Sequence, residues 1–526
     1  MSSTNSQTQQ FSMPIPLEIL ERIVQAADPE TRGSLLTVSR PFQAATERYY
    51  SNWDRRTFNP DTDVEEFLAM YSGHRVRFLR NLRVSVYFPK LRHTKEKPLA
   101  CRETMEELQE KNEQFTRQIR EVFRAIKTLE ERGAGNISLT IDTPFQDEDG
   151  NKSCDHRRHC SWRLRFIDPE ILPVLSSVRM LRIAQNGWYN PITRVKRVRR
   201  PLDMDIIPSL LGKLPNLDTL DCDYLTEDWP QAYKDAICAH FRRPWEGPWR
   251  DARHAFATTT MADVAVLPAR IRRAKLIFGR WQTGFPLLDQ SKAFPNLVHP
   301  LAYDPFSAAM RVLSQRVIDL ELQVCVDSGV FWPSANEIKE DAVLPTWPEL
   351  STLKVTFHPM LPSGAWYFQG PGGQGRNATG FQINAEHYPP VSENEVDKEQ
   401  DKIWEDEWGR YEDMRLNEFR IAPIDEHIEP LLEAFAKALG RMPVLKEAEL
   451  CTLLSWDPSE ELEEAYPDLG FTDDGFRWGV KCQADVPRIE WQVGDWRPSE
   501  GVRDLLRKSL GRNGKEAVEE WFPLEM

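Results

Sequence analysis

The chain has 526 residues and a formal net charge of −14, from 67 Lys and Arg against 81 Asp and Glu. That length is several times what one hydrophobic core requires, so about three folding units or one elongated repeat array are expected. The acidic balance argues against general nucleic-acid binding, which depends on neutralising phosphates. No run reaches the roughly 18 apolar residues that span a bilayer, so no membrane partner is expected either.

The opening MSSTNSQTQQ lacks the basic and apolar segments of a secretory signal, so residence in the cytoplasm or nucleus is expected, with residues 1–12 disordered. Eight cysteines are spread thinly with no CxxC pair, as expected of free thiols. Arg and Lys cluster at 75–92, 157–200 and 242–280, whereas 386–475 is rich in Glu and Asp. Two readings stay open: steering of a charged partner, and solvated faces of opposite sign.

Three short helices are predicted between residues 13 and 58. In MPIPLEILERIV, Pro16 suits a first helical turn and Glu18 the positive end of the helix dipole. Ile19, Leu20, Ile23 and Val24 give an apolar stripe. Asp28-Pro29 reads as an N-cap and helix-opening proline for a helix to about Val38. Ser39-Arg40-Pro41 restarts the chain into a third helix bearing Phe42, Ala45 and Tyr49. Helices this short are marginal alone, and forty residues make a poor core, so the cluster must lean on something else.

IPLEILERIV, followed by LLTVSRPF, resembles the F-box, over roughly Met13 to Trp53. The resemblance implies binding to a Skp-type adaptor and, through it, to a cullin–RING ubiquitin ligase. It implies adaptor-facing roles for Pro16, Leu17, Ile19, Leu20, Ile23, Leu36, Val38, Ser39 and Phe42. Two positions depart from the common pattern: Phe42 replaces a frequent Trp, and Gly33 weakens the second helix by about 1 kcal/mol relative to Ala.

From residue 60 another pattern recurs. Leu214-Pro-Asn-Leu217-Asp-Thr-Leu220-Asp-Cys222 aligns with the segments from Trp347 to Val355 and from Met442 to Leu450. Looser copies start at Val76, Val178, Phe294, Val317 and Pro487. Apolar residues at i, i+3, i+6 and i+8 enter a strand from a turn and then alternate, as in a leucine-rich repeat. The irregular spacing demands inserted helices, and apolar stripes predict them at Glu103–Arg132 and His427–Leu439. The expected fold class is therefore α/β: a three-helix F-box, then an irregular leucine-rich-repeat-like solenoid over 60–370, continuing over 411–526. This architecture is similar to that of large fungal F-box proteins. A flexible Gly-rich and acidic insertion is expected at 370–410, from GPGGQGRNATG and the acidic run after it.

A search for chemistry finds no catalytic constellation, and neither metal nor cofactor is expected. Cys154, His156, His159 and Cys160 lie too close together for the two ligand pairs of a zinc finger. Residues Asp147–Asn151 place Gly too early for a calcium loop. The glycines of 370–375 lack a phosphate-cradling Lys-Ser/Thr. TRVKRVRR (193–200) reads equally as an import signal, an acid-binding patch or a solvated loop. The expected function is capture of an unidentified protein substrate, by outward strand residues Arg80, Arg83, Arg182, Asp218, Asp221 and Lys354, with a non-ligase interaction scaffold as the alternative.

Overall fold

The structure, a computed structural model, describes residues 15–50, 53–91, 100–148, 162–184, 197–222, 245–278, 289–335, 337, 344–399, 417–466, 475–511 and 516–524.

Helix α1 (Leu17–Ala26) starts directly after Pro16, whose φ of −55° suits that position. The Asp28 carboxylate accepts the N–H groups of Glu30 and Thr31 at 3.0 and 2.9 Å, capping α2 (Pro29–Val38). Extended backbone at Ser39 separates α2 from α3 (Arg40–Tyr50). Leu20, Val24 and Ala45 form a miniature core, with Leu35 and Phe42 against it.

The rest is a mixed α/β structure around one large sheet. Its strands are β1 (Arg55–Phe58), β2 (Asn81–Leu91), β3 (Ile137–Glu148), β4 (Val178–Ala184), β5 (Arg197–Arg199), β6 (Thr219–Cys222), β7 (Ile271–Ile277), β8 (Val317–Val324) and β9 (Thr352–Phe357). They pair in chain order and in parallel, except β5, which folds back antiparallel onto β3. A separate small pair, β10 (Phe368–Gln369) with β11 (Ala422–Pro423), is antiparallel. The main sheet resumes with β12 (Glu447–Leu454), parallel to β9, then β13 (Phe476–Gln483), β14 (Arg488–Gln492) and β15 (Val518–Phe522). Here the pattern changes, because β12–β13 and β13–β14 are antiparallel. In the region past 411, where the repeats were expected to continue, β13 thus runs against both its neighbours; a short turn joins it to β14, whereas β14 and β15 are again parallel, with a helix (Glu500–Leu510) between them.

Along most of the strands inward and outward residues alternate, and the register aligns them across the sheet. Val84, Ile141, Ile183, Cys222, Leu276, Leu322, Val355, Leu450, Val480 and Trp491 stand side by side as one buried row. Helices α4 (Val64–Met70), α5 (Met105–Glu131), α6 (Ile206–Leu211), α7 (Glu246–Ala262), α8 (Pro305–Ser314), α9 (Asp425–Leu439) and α11 (Glu500–Leu510) contribute to the same core, and α10 (Glu460–Ala465) stays outside it. Thr104 and Glu107 close a reciprocal capping box at the start of α5, whose Leu108, Phe115, Ile119, Val122, Ile126 and Leu129 are buried. The repeat-like segment at Phe294 forms no strand, only an isolated bridge from Pro295 to Phe381.

Of the insertion expected over 370–410, residues 370–399 are described and 400–410 lie outside the described residues. A Cβ on Gly380 would overlap the Ser363 backbone, so glycine serves close approach rather than freedom. Beyond it the chain becomes a strap back towards the early strands. Tyr388 lies over Gly247 at the start of α7, and its hydroxyl donates to Asp251 Oδ2 (2.7 Å) and accepts from Arg250 Nη2 (2.6 Å). Asp397, fully buried, accepts two hydrogen bonds from Arg102, just ahead of α5. Beside it Glu103 is held between Lys111 and Arg200, all three buried. Burial pushes the Glu103 carboxyl up, but Arg200 and Lys111 outweigh it and hold it at about 2.

Candidate partner-binding surfaces

Two surfaces carry the residues singled out from sequence. The first is the helical bundle. Leu17, Ile19, Ile23, Leu36 and Val38 are 38–59 % exposed, as is Ile15 before them. Pro16 and Ser39 are also exposed. Leu20, expected to face an adaptor, instead turns inward at 2 % exposure, and Phe42 is half-buried against the miniature core. Helical geometry explains the division: Leu20 and Val24 form one i, i+4 stripe that packs on α3, while Ile19 and Ile23 form the next stripe round. Exposed aliphatics on so small a bundle are unusual unless a partner covers them.

The bundle core and the main core are separate clusters. Between them lies a polar junction. Glu47 accepts hydrogen bonds from Arg75 Nε (2.8 Å) and Nη2 (2.7 Å), and lies 2.8 Å from His74 Nε2. Arg75 in turn covers the Trp53 ring at 4.7 Å. Hydrogen bonds from Arg75, against an opposing push from burial, hold the Glu47 carboxyl at about 2. Because that value lies below the unfolded one, the junction has its full strength above about pH 4.5 and loses it as pH falls towards 2. We expect acid to weaken the docking of the bundle by about 1–2 kcal/mol, after allowing for solvent screening. Glu47→Gln should start weaker at pH 7 and show a flatter profile, checked by denaturation followed by circular dichroism between pH 7 and pH 2.

The second surface is the sheet face opposite the helices. One row across it reads Arg83, Thr140, Arg182, Asp221, Lys275, Glu321, Lys354, Glu449, Lys481, Glu490 and Glu520. The register thus aligns Arg83, Arg182, Asp221 and Lys354, four of the residues proposed from sequence. Arg80 and Asp218 lie just ahead of β2 and β6, outside the row: Arg80 covers Gly135, and Asp218 approaches Arg179 at 3.7 Å. From Arg182 to Glu490 the signs alternate, and neighbours neutralise one another: Arg182–Asp221 at 3.4 Å and Lys275–Glu321 at 3.3 Å. Arg83 makes a two-nitrogen contact with buried Asp142, both bonds 2.8 Å. A partner on this face must match a charge pattern rather than meet a single-sign patch.

Sequence reasoning missed Thr140, Lys275, Glu449, Lys481, Glu490 and Glu520 in this row. The outward alternation in IRRAKLI (271–277) was the available signal for Lys275. Where β12 meets β13, the neighbouring row is short-chained, since Cys451 stands opposite Gly479. The result is a groove of about 350 Å³, with Glu449, Arg477, Lys481, Glu490 and Phe522 in its walls. Burial pushes the Cys451 thiol up, although Arg477 Nη2 approaches the sulfur to 3.0 Å.

The Cys154–Cys160 cluster and residues 193–196 lie outside the described residues, as does most of 147–151. Arg200, at the end of the basic run, is no solvated side chain: it is 1 % exposed against Glu103. Among the described residues no group of three or more His, Cys, Asp or Glu is placed to hold a metal ion, and no helix is long and apolar enough to cross a membrane. No protein-family model matches the chain, and no curated protein matches it significantly.

Proposed function

We propose that this chain is the substrate-recognition subunit of an SCF-type cullin–RING ubiquitin ligase. In this reading α1–α3 act as an F-box that binds a Skp-type adaptor, and the sheet is a degenerate leucine-rich-repeat array that captures a protein substrate. The observation that carries it is the exposed aliphatic set Leu17, Ile19, Ile23, Leu36 and Val38, on a motif that resembles the F-box. The chain makes and breaks no bonds itself. It holds its target beside a ubiquitin-charged enzyme, turning a bimolecular transfer into an effectively intramolecular one.

The test is co-expression with an adaptor, comparing wild type with Ile19→Asp/Ile23→Asp. Both positions are exposed, so the charges leave the bundle folded, and circular dichroism should be unchanged. Burying even one such charge in an interface costs at least about 2 kcal/mol, a loss of roughly thirtyfold or more in affinity. Equal recovery of adaptor with both proteins overturns the reading. Adaptor recovered without cullin favours the non-ligase scaffold.

A further inference from the structure

The last strand of a sheet leaves every second backbone N–H and C=O without a strand to meet. Here that strand is β15, which pairs in parallel with β14 and lies at the end of the sheet. The Val518 N–H donates to the Pro487 carbonyl at 3.0 Å, so Val518, Glu520 and Phe522 turn their backbone groups towards β14. By alternation the backbone groups of Glu519 and Trp521 point off the edge, where they meet no partner among the described residues. The two faces of β15 also differ. Towards the core, Trp521 stacks on Trp491 with ring centres 5.4 Å apart, and Glu519 holds Arg503 at 2.6 Å. On the outer face Val518 and Phe522 are 59 % and 40 % exposed, with Glu520 between them.

Charge decides what could lie against this edge. The outer row runs Lys354, Glu449, Lys481, Glu490 with alternating sign, and then the alternation breaks, because Glu520 repeats the charge of Glu490. Arg488 lies 3.6 Å from Glu490 and 3.5 Å from Glu520, so two carboxylates share one guanidinium. A further strand restores the alternation only if a cation stands beside Glu520. A second copy of the chain supplies none there: antiparallel pairing of two β15 strands about Glu520 would set like charges against each other.

We propose that the edge of β15 binds an extended segment of a partner protein by strand addition, with Lys or Arg beside Glu520 and an apolar residue two positions to either side, against Val518 and Phe522. The alternation apolar-x-basic-x-apolar reads the same in both strand directions. Backbone pairing supplies the affinity, and the three outward side chains supply the selectivity. The proposal deepens the substrate-capture reading, whose charged row the added strand extends, but the binding itself requires neither adaptor nor ligase.

The test is fluorescence anisotropy of the full chain with a labelled peptide, Thr-Val-Thr-Lys-Thr-Val-Thr. Binding should saturate, and replacing the peptide's lysine with glutamate should weaken it at least about fivefold. Glu520→Lys should reverse that preference with an unchanged circular dichroism spectrum, since Glu520 is partly exposed on the edge. Two N-methylated peptides read the backbone separately, one modified at the valines and lysine and the other at the threonines. One should lose binding and the other keep it, because only one alternate set of amides faces β15. Failure to saturate, an unchanged preference in Glu520→Lys, or equal binding of the two N-methylated peptides each overturns the proposal. Peptide binding that is lost as the chain dimerises assigns the edge to a second copy and overturns it too. Equal adaptor recovery with Ile19→Asp/Ile23→Asp overturns the ligase reading and leaves peptide binding intact, so the two failures are distinguishable.

Discussion

Replacing Glu103 with Ala should lower the stability of the chain by about 3–5 kcal/mol, among the largest single-residue effects expected here. Glu103 is fully buried, and both its oxygens are engaged, one by Lys111 and one by Arg200. Lys111 belongs to α5 and Arg200 follows β5, so this carboxylate holds together segments about a hundred residues apart. Without it, two buried cations face each other in a low-dielectric setting, where repulsion is poorly screened. Urea denaturation measures the loss without adding salt. Glu103→Gln, which keeps hydrogen bonding but drops the charge, should fall between wild type and Ala. A loss under about 1 kcal/mol for Glu103→Ala would show that the network contributes little.

Asp397→Ala should have an effect of similar size but different reach. Between Val391 and Glu399 only Asp397 is buried, so its contact with Arg102 is what fastens this end of the strap. Removing it should let residues 391–399 exchange amide hydrogens at least about a hundredfold faster, the kinetic equivalent of roughly 3 kcal/mol. Protection of β7, β8 and β9 should hardly change. The double variant Arg102→Met/Asp397→Leu separates pairing from packing. A buried pair replaced by apolar residues of similar size is often neutral or stabilising, whereas breaking one partner is not. Recovery of strap protection in the double variant is the expected result; equal exchange in single and double variants would point to packing rather than charge.

Local features were legible because they depend on neighbours in the chain. The Pro16 start, the Asp28 cap and the break at Ser39 are all decided within a few residues, and each stands where its sequence implies. Helix α5 spans Met105–Glu131, inside the predicted Glu103–Arg132, because its apolar stripe and capping residues agree. Several Leu-x-x-Leu segments became strands for the same reason, namely a turn followed by strict alternation. The segment at Phe294 shares the letters but lacks alternation beyond Leu297, and it makes only a bridge.

What the sequence determined by itself, then, was the identity of the short helices and the alternation of the strands. Tertiary structure alone decided that Leu20 turns inward while Ile19 and Ile23 stay out, since the miniature core takes one stripe of α1 against α3. It alone set the register that aligns charges of alternate sign across the sheet. It alone turned a glycine-rich stretch into a fixed path over Arg420, and tied Asp397 to Arg102, 295 residues away. Periodicity reports a residue's face, but the partner on that face is chosen by packing between segments the chain keeps far apart.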